Sequence, residues 1–121
     1  MKVSTGDPEA NYSLGMVFAQ TDDNERAYDY LQRALTFRPG YPEAMNNLGV
    51  LYLRTGRRDE GVKMFEECIR VAPSFDQSYL NLARVYALES APDKARAVLL
   101  ELLKQHPDHA QARKMLEELS R

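Results

Sequence analysis

A chain of 121 residues, 44% hydrophobic and 28% charged, can bury one core; it is too charged for a membrane protein and too apolar for a disordered one. No run of about 18 apolar residues is present, which excludes a transmembrane helix and a membrane partner. The 16 basic and 18 acidic side chains give a formal net charge of -2 without a long single-sign run, which argues against a phosphate-binding surface and nucleic acid as partner.

In chain order, residues 1–7 hold no apolar core of a secretory signal and are expected to form a frayed or disordered lead-in. Asp7 with Pro8 just inside it predicts a helix start. Residues 8–41 then carry Leu14, Gly15 and Phe18 at helical spacing, a polar break TDDN, and Ala27, Leu31 and Ala34 before Pro39. In residues 42–75, Met45, Leu48, Gly49 and Tyr52 recur at i, i+3, i+4 and i+7; after TGRRD come Gly61, Phe65, Cys68 and Ile69, and then Pro73. This is the pattern of two helices each with one packing face. Residues 76–109 repeat it with Leu82, Ala83 and Tyr86, the break ESAPD, Ala95, Leu99 and Leu102, and Pro107. In residues 110–121, Met115 and Leu119 stand at i, i+4, as a closing helix requires. Ser74 with Gln77, and Asp108 with Gln111, are the expected caps of the fifth and seventh helices. Small residues at Gly15, Gly49, Ala83, Ala27, Gly61 and Ala95 let helix backbones approach closely.

Shifting by 34 residues aligns Leu14, Leu48 and Leu82; Gly15, Gly49 and Ala83; Phe18, Tyr52 and Tyr86; and Pro39, Pro73 and Pro107. With that period and that order of small, large and proline positions, the chain resembles the tetratricopeptide repeat family from Pro8 to the end. It departs from the pattern at the position of the usual Trp, where Asn11, Met45 and Tyr79 stand. It also has Gly61 for Ala, at about 1 kcal/mol cost to that helix, and Leu102 where Ala34 and Cys68 are smaller. The resemblance implies an all-α fold, a right-handed superhelical α-solenoid of three helix-turn-helix hairpins plus a capping helix, seven helices in all. It implies a protein–protein interaction module, an adaptor, scaffold or co-chaperone-like protein, that binds a peptide segment in its concave groove. The alternative is a structural piece of a longer scaffold, or a self-associating array without its own peptide ligand; the uncapped first repeat offers a route to homo-oligomers.

At roughly 100 degrees per residue, the stripe opposite the packing face is the candidate groove wall. In successive units it comprises Glu9, Tyr12, Ser13 and Met16; Glu43, Asn46, Asn47, Val50 and Arg54; and Gln77, Leu80, Asn81, Arg84 and Leu88. Asn47 and Asn81 share one repeat position and could bracket a ligand backbone, each offering a donor and an acceptor; the plainer reading is two surface amides. Tyr12, Met16, Val50, Leu80 and Leu88 suggest apolar pockets, against the plainer reading of scattered exposed apolar residues. Family members that clamp a C-terminal carboxylate use two Lys, two Asn and an Arg. The matching positions here carry Tyr12, Met16, Asn47, Gln77 and Asn81, so that capture is not expected.

His106 and His109 flank the turn residue Pro107 without a thiol or carboxylate cluster, and read as a solvated turn rather than a metal site. Cys68 occupies a packing slot and reads as a small buried thiol, in keeping with a reducing, cytoplasmic setting. Arg57 and Arg58 read as turn surface. No phosphate loop, nucleophile elbow or acid pair emerges, so neither catalysis nor a cofactor is expected.

Overall fold

The computed structural model describes residues 6–121, which form seven helices and no strand among the described residues. The helices are α1 (Pro8–Gln20), α2 (Asn24–Phe37), α3 (Pro42–Arg54), α4 (Arg58–Val71), α5 (Asp76–Leu88), α6 (Pro92–Gln105) and α7 (Ala110–Leu119). Of the lead-in, residues 1–5 lie outside the described part, and Asp7 already belongs to the first helix as its cap.

The starts follow local chemistry. Asp7 Oδ1 accepts from the backbone N–H groups of Glu9 at 3.0 Å and Ala10 at 3.3 Å, and Pro8 fits the first helical position, where no N–H is needed. Two expected caps are corrected. The residue before α5 is Phe75, with no side-chain cap, and Ser74 lies in the turn ahead of it. The cap of α7 is His109, not Asp108: its Nδ1 accepts from the Ala112 N–H at 3.2 Å, while its Nε2 meets Asp76 Oδ2 at 2.8 Å. The half-buried His109 thus ties the start of α7 to the start of α5, a job that a solvated turn residue would not have.

The three hairpin turns are one turn built three times. Asp22, Gly56 and Ser90 take positive φ of 60, 79 and 58 degrees. The following N–H groups of Asp23, Arg57 and Ala91 reach back to the carbonyls of Phe18, Tyr52 and Tyr86 at 2.9, 2.8 and 2.8 Å. This is the left-handed helix end that satisfies orphan carbonyls and reverses the chain. Glycine adopts that φ freely, whereas Asp and Ser are held there by the surrounding bonds.

Within each hairpin the helices pack along their length, and each hairpin meets the next through α2 on α3, α4 on α5 and α6 on α7; α1 also touches α3, and α3 touches α5. Close approach is set by small residues. A Cβ on Gly15 would come within 2.9 Å of Leu31 Cγ, and one on Gly49 within 2.6 Å of Phe65 Cε1. A Cβ on Gly61 would lie 2.9 Å from the Gly49 carbonyl oxygen. Gly61 is therefore more than a helix-weakening stand-in for Ala, because α3 and α4 touch backbone to backbone there.

At each turn a cation from the start of the second helix covers the aromatic ring that ends the first. Arg26 lies 5.4 Å from the Phe18 centroid, Arg57 4.8 Å from Tyr52 and Lys94 5.7 Å from Tyr86. In the first hairpin Phe18 also stacks on Tyr30 at 5.5 Å, with Arg33 over Tyr30 at 4.9 Å. No hairpin precedes this one among the described residues, and Val17 is 53% exposed where its counterparts Leu51 and Val85 are 3% and 7% exposed.

Gly61→Ala tests the backbone contact. Helix propensity alone would stabilise α4 by about 1 kcal/mol, but overpacking typically costs about 1–3 kcal/mol, and a carbonyl oxygen cannot rotate away. Urea denaturation should therefore show a net loss of stability.

Candidate peptide-binding face

The first helices of the hairpins, α1, α3 and α5, lie side by side, and the fourteen stripe residues fall into three groups. Glu9, Ser13, Glu43, Arg54, Gln77, Arg84 and Leu88 are exposed; Tyr12, Met16, Asn47, Val50 and Asn81 are half-buried; Asn46 and Leu80 are buried. The last two correct the sequence reading. Leu80 is 0% exposed and packs in a core with Tyr79, Ala83, Leu99 and Ala112. Asn46 is 7% exposed, and its Oδ1 accepts from Ser78 Oγ and Asn81 Nδ2, both at 3.0 Å. The single-helix wheel pointed both residues away from the second helices, but Leu80 shares its core with Leu99 of its own second helix, α6, and with Ala112 of α7. Asn46 does point at another hairpin, and the wheel could not show that this direction meets the neighbouring first helix, α5.

The same geometry redefines the asparagine pair. Asn47 Nδ2 donates to Tyr12 Oη at 3.1 Å and to the Glu43 carbonyl at 2.7 Å. Asn81 Nδ2 donates to Asn46, and Asn81 Oδ1 accepts from Arg84 Nη1 at 2.9 Å. Both amides reach one hairpin back to the residue 35 positions earlier, so their first role is to tie hairpins together. Tyr12 also packs on the Tyr41 ring at 5.3 Å. Its hydroxyl is pushed above the usual phenol range, by burial first and then by Glu43, against the Asn47 bond, and so stays neutral. Asn47 Oδ1 has no donor among the described residues.

Arg54 is also engaged: Nη2 donates to Asp22 Oδ1 at 2.9 Å and the Ala19 carbonyl at 3.2 Å, joining α3 to the first turn. Glu9 pairs with Arg38 at 2.7 Å. Between α1 and α3 a depression of about 140 Å³ remains, lined by Met16, Ala19, Gln20, Leu31, Asn47, Val50, Leu51 and Arg54. It joins three stripe positions of α3 to one of α1.

A larger hollow of about 580 Å³ lies at the turn end of α2 and α3, and includes Tyr28, Asp29, Tyr52 and Thr55. Sequence spacing did not indicate it, because it forms between hairpins, where the packing-face residue Tyr52 lies beside α2 residues that look like ordinary helix surface. There Tyr52 Oη and Tyr28 Oη are 3.5 Å apart, and Tyr52 is pushed up to about 12 by burial, then by the Tyr28 bond and charge. The turn arginines are also less free than expected: Arg57 grips Glu60 and Arg58 grips Glu89.

Cys68 is buried with Sγ 3.6 Å from the Pro42 carbonyl, and burial pushes its thiol above the ordinary range, away from the reactive thiolate. Among the described residues no group of three His, Cys, Asp or Glu gathers as metal ligands do, and no helix is long and apolar enough to cross a membrane.

Tetratricopeptide repeat models match residues 46–110 and residues 18–67, and the chain belongs to the tetratricopeptide repeat family. No curated protein sequence matches it. Among solved structures, MamA is 28% identical with a TM-score of 0.79, over 89% of this chain and 63% of the MamA chain, so this chain spans less than two thirds of that protein. The Cut9–Hcn1 hetero-tetramer of APC/C is 22% identical with a TM-score of 0.78, over 93% of this chain and 23% of that one. The first TPR of Spaghetti (RPAP3), solved bound to the HSP90 peptide SRMEEVD, is 14% identical with a TM-score of 0.81, over 98% of this chain and 96% of that one. The last two bear on the fold alone. The all-helical chain is a tetratricopeptide solenoid, a fold of protein-interaction modules that is generally non-enzymatic.

Asn46→Ala should lower unfolding free energy by about 1–3 kcal/mol, because it leaves the buried Ser78 hydroxyl and the inner end of Asn81 without their acceptor. Chemical denaturation checks this, and the exposed Gln77→Ala serves as a control that should change little.

Proposed function

We propose that the chain is an interaction module that holds a peptide segment of a partner protein across α1, α3 and α5. The observation that carries the reading is the depression between Met16 and Val50, lined in part by Asn47, whose Oδ1 is unclaimed among the described residues. An apolar side chain of the peptide would enter the depression. A backbone N–H beside it would donate to Asn47, which binds the strand without reading its sequence. Tyr12, Asn81 and Arg84 continue the surface on either side. No lysine stands at the five clamp positions, so the reading is an internal segment rather than a free C-terminal carboxylate. It includes a reducing cytoplasmic setting, supported by the lone, buried thiol of Cys68.

Selection from a phage-displayed peptide library tests this. Selected peptides should carry an apolar anchor, and Met16→Glu should weaken them about tenfold, or about 1.4 kcal/mol, without lowering the melting temperature. Peptides that bind the folded variant unchanged would overturn the reading.

Self-association is a second reading, supported by the exposure of Val17 at a position buried in the other two hairpins. On it, sedimentation at high concentration should show a dimer that Val17→Glu abolishes. A strict monomer removes this reading.

A further inference from the structure

The hollow between α2 and α3 shares only the Leu51 wall with the depression on the peptide face, and at roughly 100 degrees per residue Thr55 and Tyr52 stand roughly 100 and 160 degrees around α3 from Arg54. Its cause is a difference between two junctions of the same solenoid. Where α4 meets α5, the Arg58 guanidinium bridges to both oxygens of Glu89 at 2.6 Å, and Val62, 7% exposed, packs against Val85. The positions 34 residues earlier are Asn24 for Arg58, Thr55 for Glu89 and Tyr28 for Val62. Asn24 and Thr55 are too short and uncharged to make the bridge, and the junction stays open as a hollow of about 580 Å³. That volume falls within the range of ligand pockets, about 300–1,000 Å³.

Charge decides what suits it. Four charged side chains line the hollow: Glu25, Arg26, Asp29 and Arg57. Both arginines are already matched. Arg26 pairs with Asp23 at 3.6 Å and lies over Phe18, and Arg57 grips Glu60 and lies over Tyr52. Glu25 and Asp29, one helical turn apart on α2, make no hydrogen bond or ion pair among the described residues. The rim therefore keeps two uncompensated negative charges beside an aromatic wall.

The chain itself shows what this combination holds. Arg26 sits between Asp23 and the Phe18 ring, Arg57 between Glu60 and the Tyr52 ring, and Arg38 between Glu9 and the Tyr41 ring at 4.6 Å. A carboxylate and an aromatic ring together take a guanidinium in all three. Tyr28 with Glu25 and Asp29 presents the same pair of groups, and no cation of the chain lies over its ring among the described residues.

We propose that this hollow is a second docking site, independent of the peptide face, that takes a lysine or arginine side chain of a partner polypeptide between the Tyr28 ring and the Glu25 and Asp29 carboxylates. The Tyr28–Tyr52 hydroxyl pair supplies an oxygen that accepts a further N–H from the guest. A bare metal ion is a poorer guest, since two exposed carboxylates make no ligand cluster. An anion would meet two free carboxylates, and both arginines are occupied.

The test is an NMR titration of the full chain with acetyl-Gly-Arg-Gly-amide, acetyl-Gly-Lys-Gly-amide and acetyl-Gly-citrulline-Gly-amide, the neutral isostere of the first. The two cationic peptides should shift the amides of residues 25–29 and 51–57, more weakly as salt is raised. The citrulline peptide should not. Glu25→Gln with Asp29→Asn, both exposed and expected to leave the circular dichroism spectrum unchanged, should weaken the cationic peptides about five- to tenfold, as the loss of two exposed ion pairs implies. Met16→Glu should leave them unaffected, which separates this site from the peptide face. Equal shifts with citrulline, shifts confined to the Met16–Val50 depression, or full binding by the folded double variant would each overturn the assignment.

Discussion

The contact on which the molecule depends is the one between Gly49 on α3 and Phe65 on α4. No room exists there for even a methyl group, so the two helices meet at a distance that only a missing side chain allows. Gly15 against Leu31 sets the same distance in the first hairpin. Because a hairpin has only one buried face, its stability rests on neighbours stacked at the correct spacing. The thickness of each hairpin fixes where the next one lands, and so fixes the separation of α1, α3 and α5. The depression between Met16 and Val50 is a consequence of that separation.

Apolar packing sets the distance between hairpins, but it is non-directional. The direction is supplied by polar ties that cross each junction. Asn47 to Tyr12 and Asn81 to Asn46 lie on the side of the first helices, Arg54 to Asp22 and Arg58 to Glu89 near the turns, and His109 to Asp76 at the start of α7. Exposed ion pairs contribute little to stability singly, whereas the buried Asn46 node is costly to leave unsatisfied. Register is thus held most firmly under the first-helix face proposed to meet the partner. Such a surface is preorganised, and binding need not order it first.

The sequence made the helices and their packing faces legible because period 3.6 within an element and period 34 between elements both report burial directly. It failed where a side chain's surroundings come from another hairpin. Asn46 is buried against the next first helix, where it meets Ser78 and Asn81, and Leu80 is buried in a core that α7 completes through Ala112. His109 looked like turn surface because Asp76, its partner, is 33 residues away. The 35-residue step that joins Asn47 to Tyr12 and Asn81 to Asn46 was present in the sequence, but only the stacked arrangement gives it meaning.

The repeat explains what the hairpins share, and the departures from it explain where they can act differently. A shared position such as Asp22, Gly56 and Ser90 performs one backbone task with three side chains, and tells nothing about a ligand. Asn24 and Thr55, by contrast, leave open a junction that Arg58 and Glu89 close in the next copy. Closing a junction favours rigidity, while leaving one open keeps the half-buried Tyr28 and two unpaired carboxylates within reach of a partner. Solenoid stability is close to a sum over units and their interfaces, so a hollow at the end of one junction weakens its neighbours little. Chemistry specific to this chain can therefore be concentrated at α2 and α3 while the other junctions hold the array in shape.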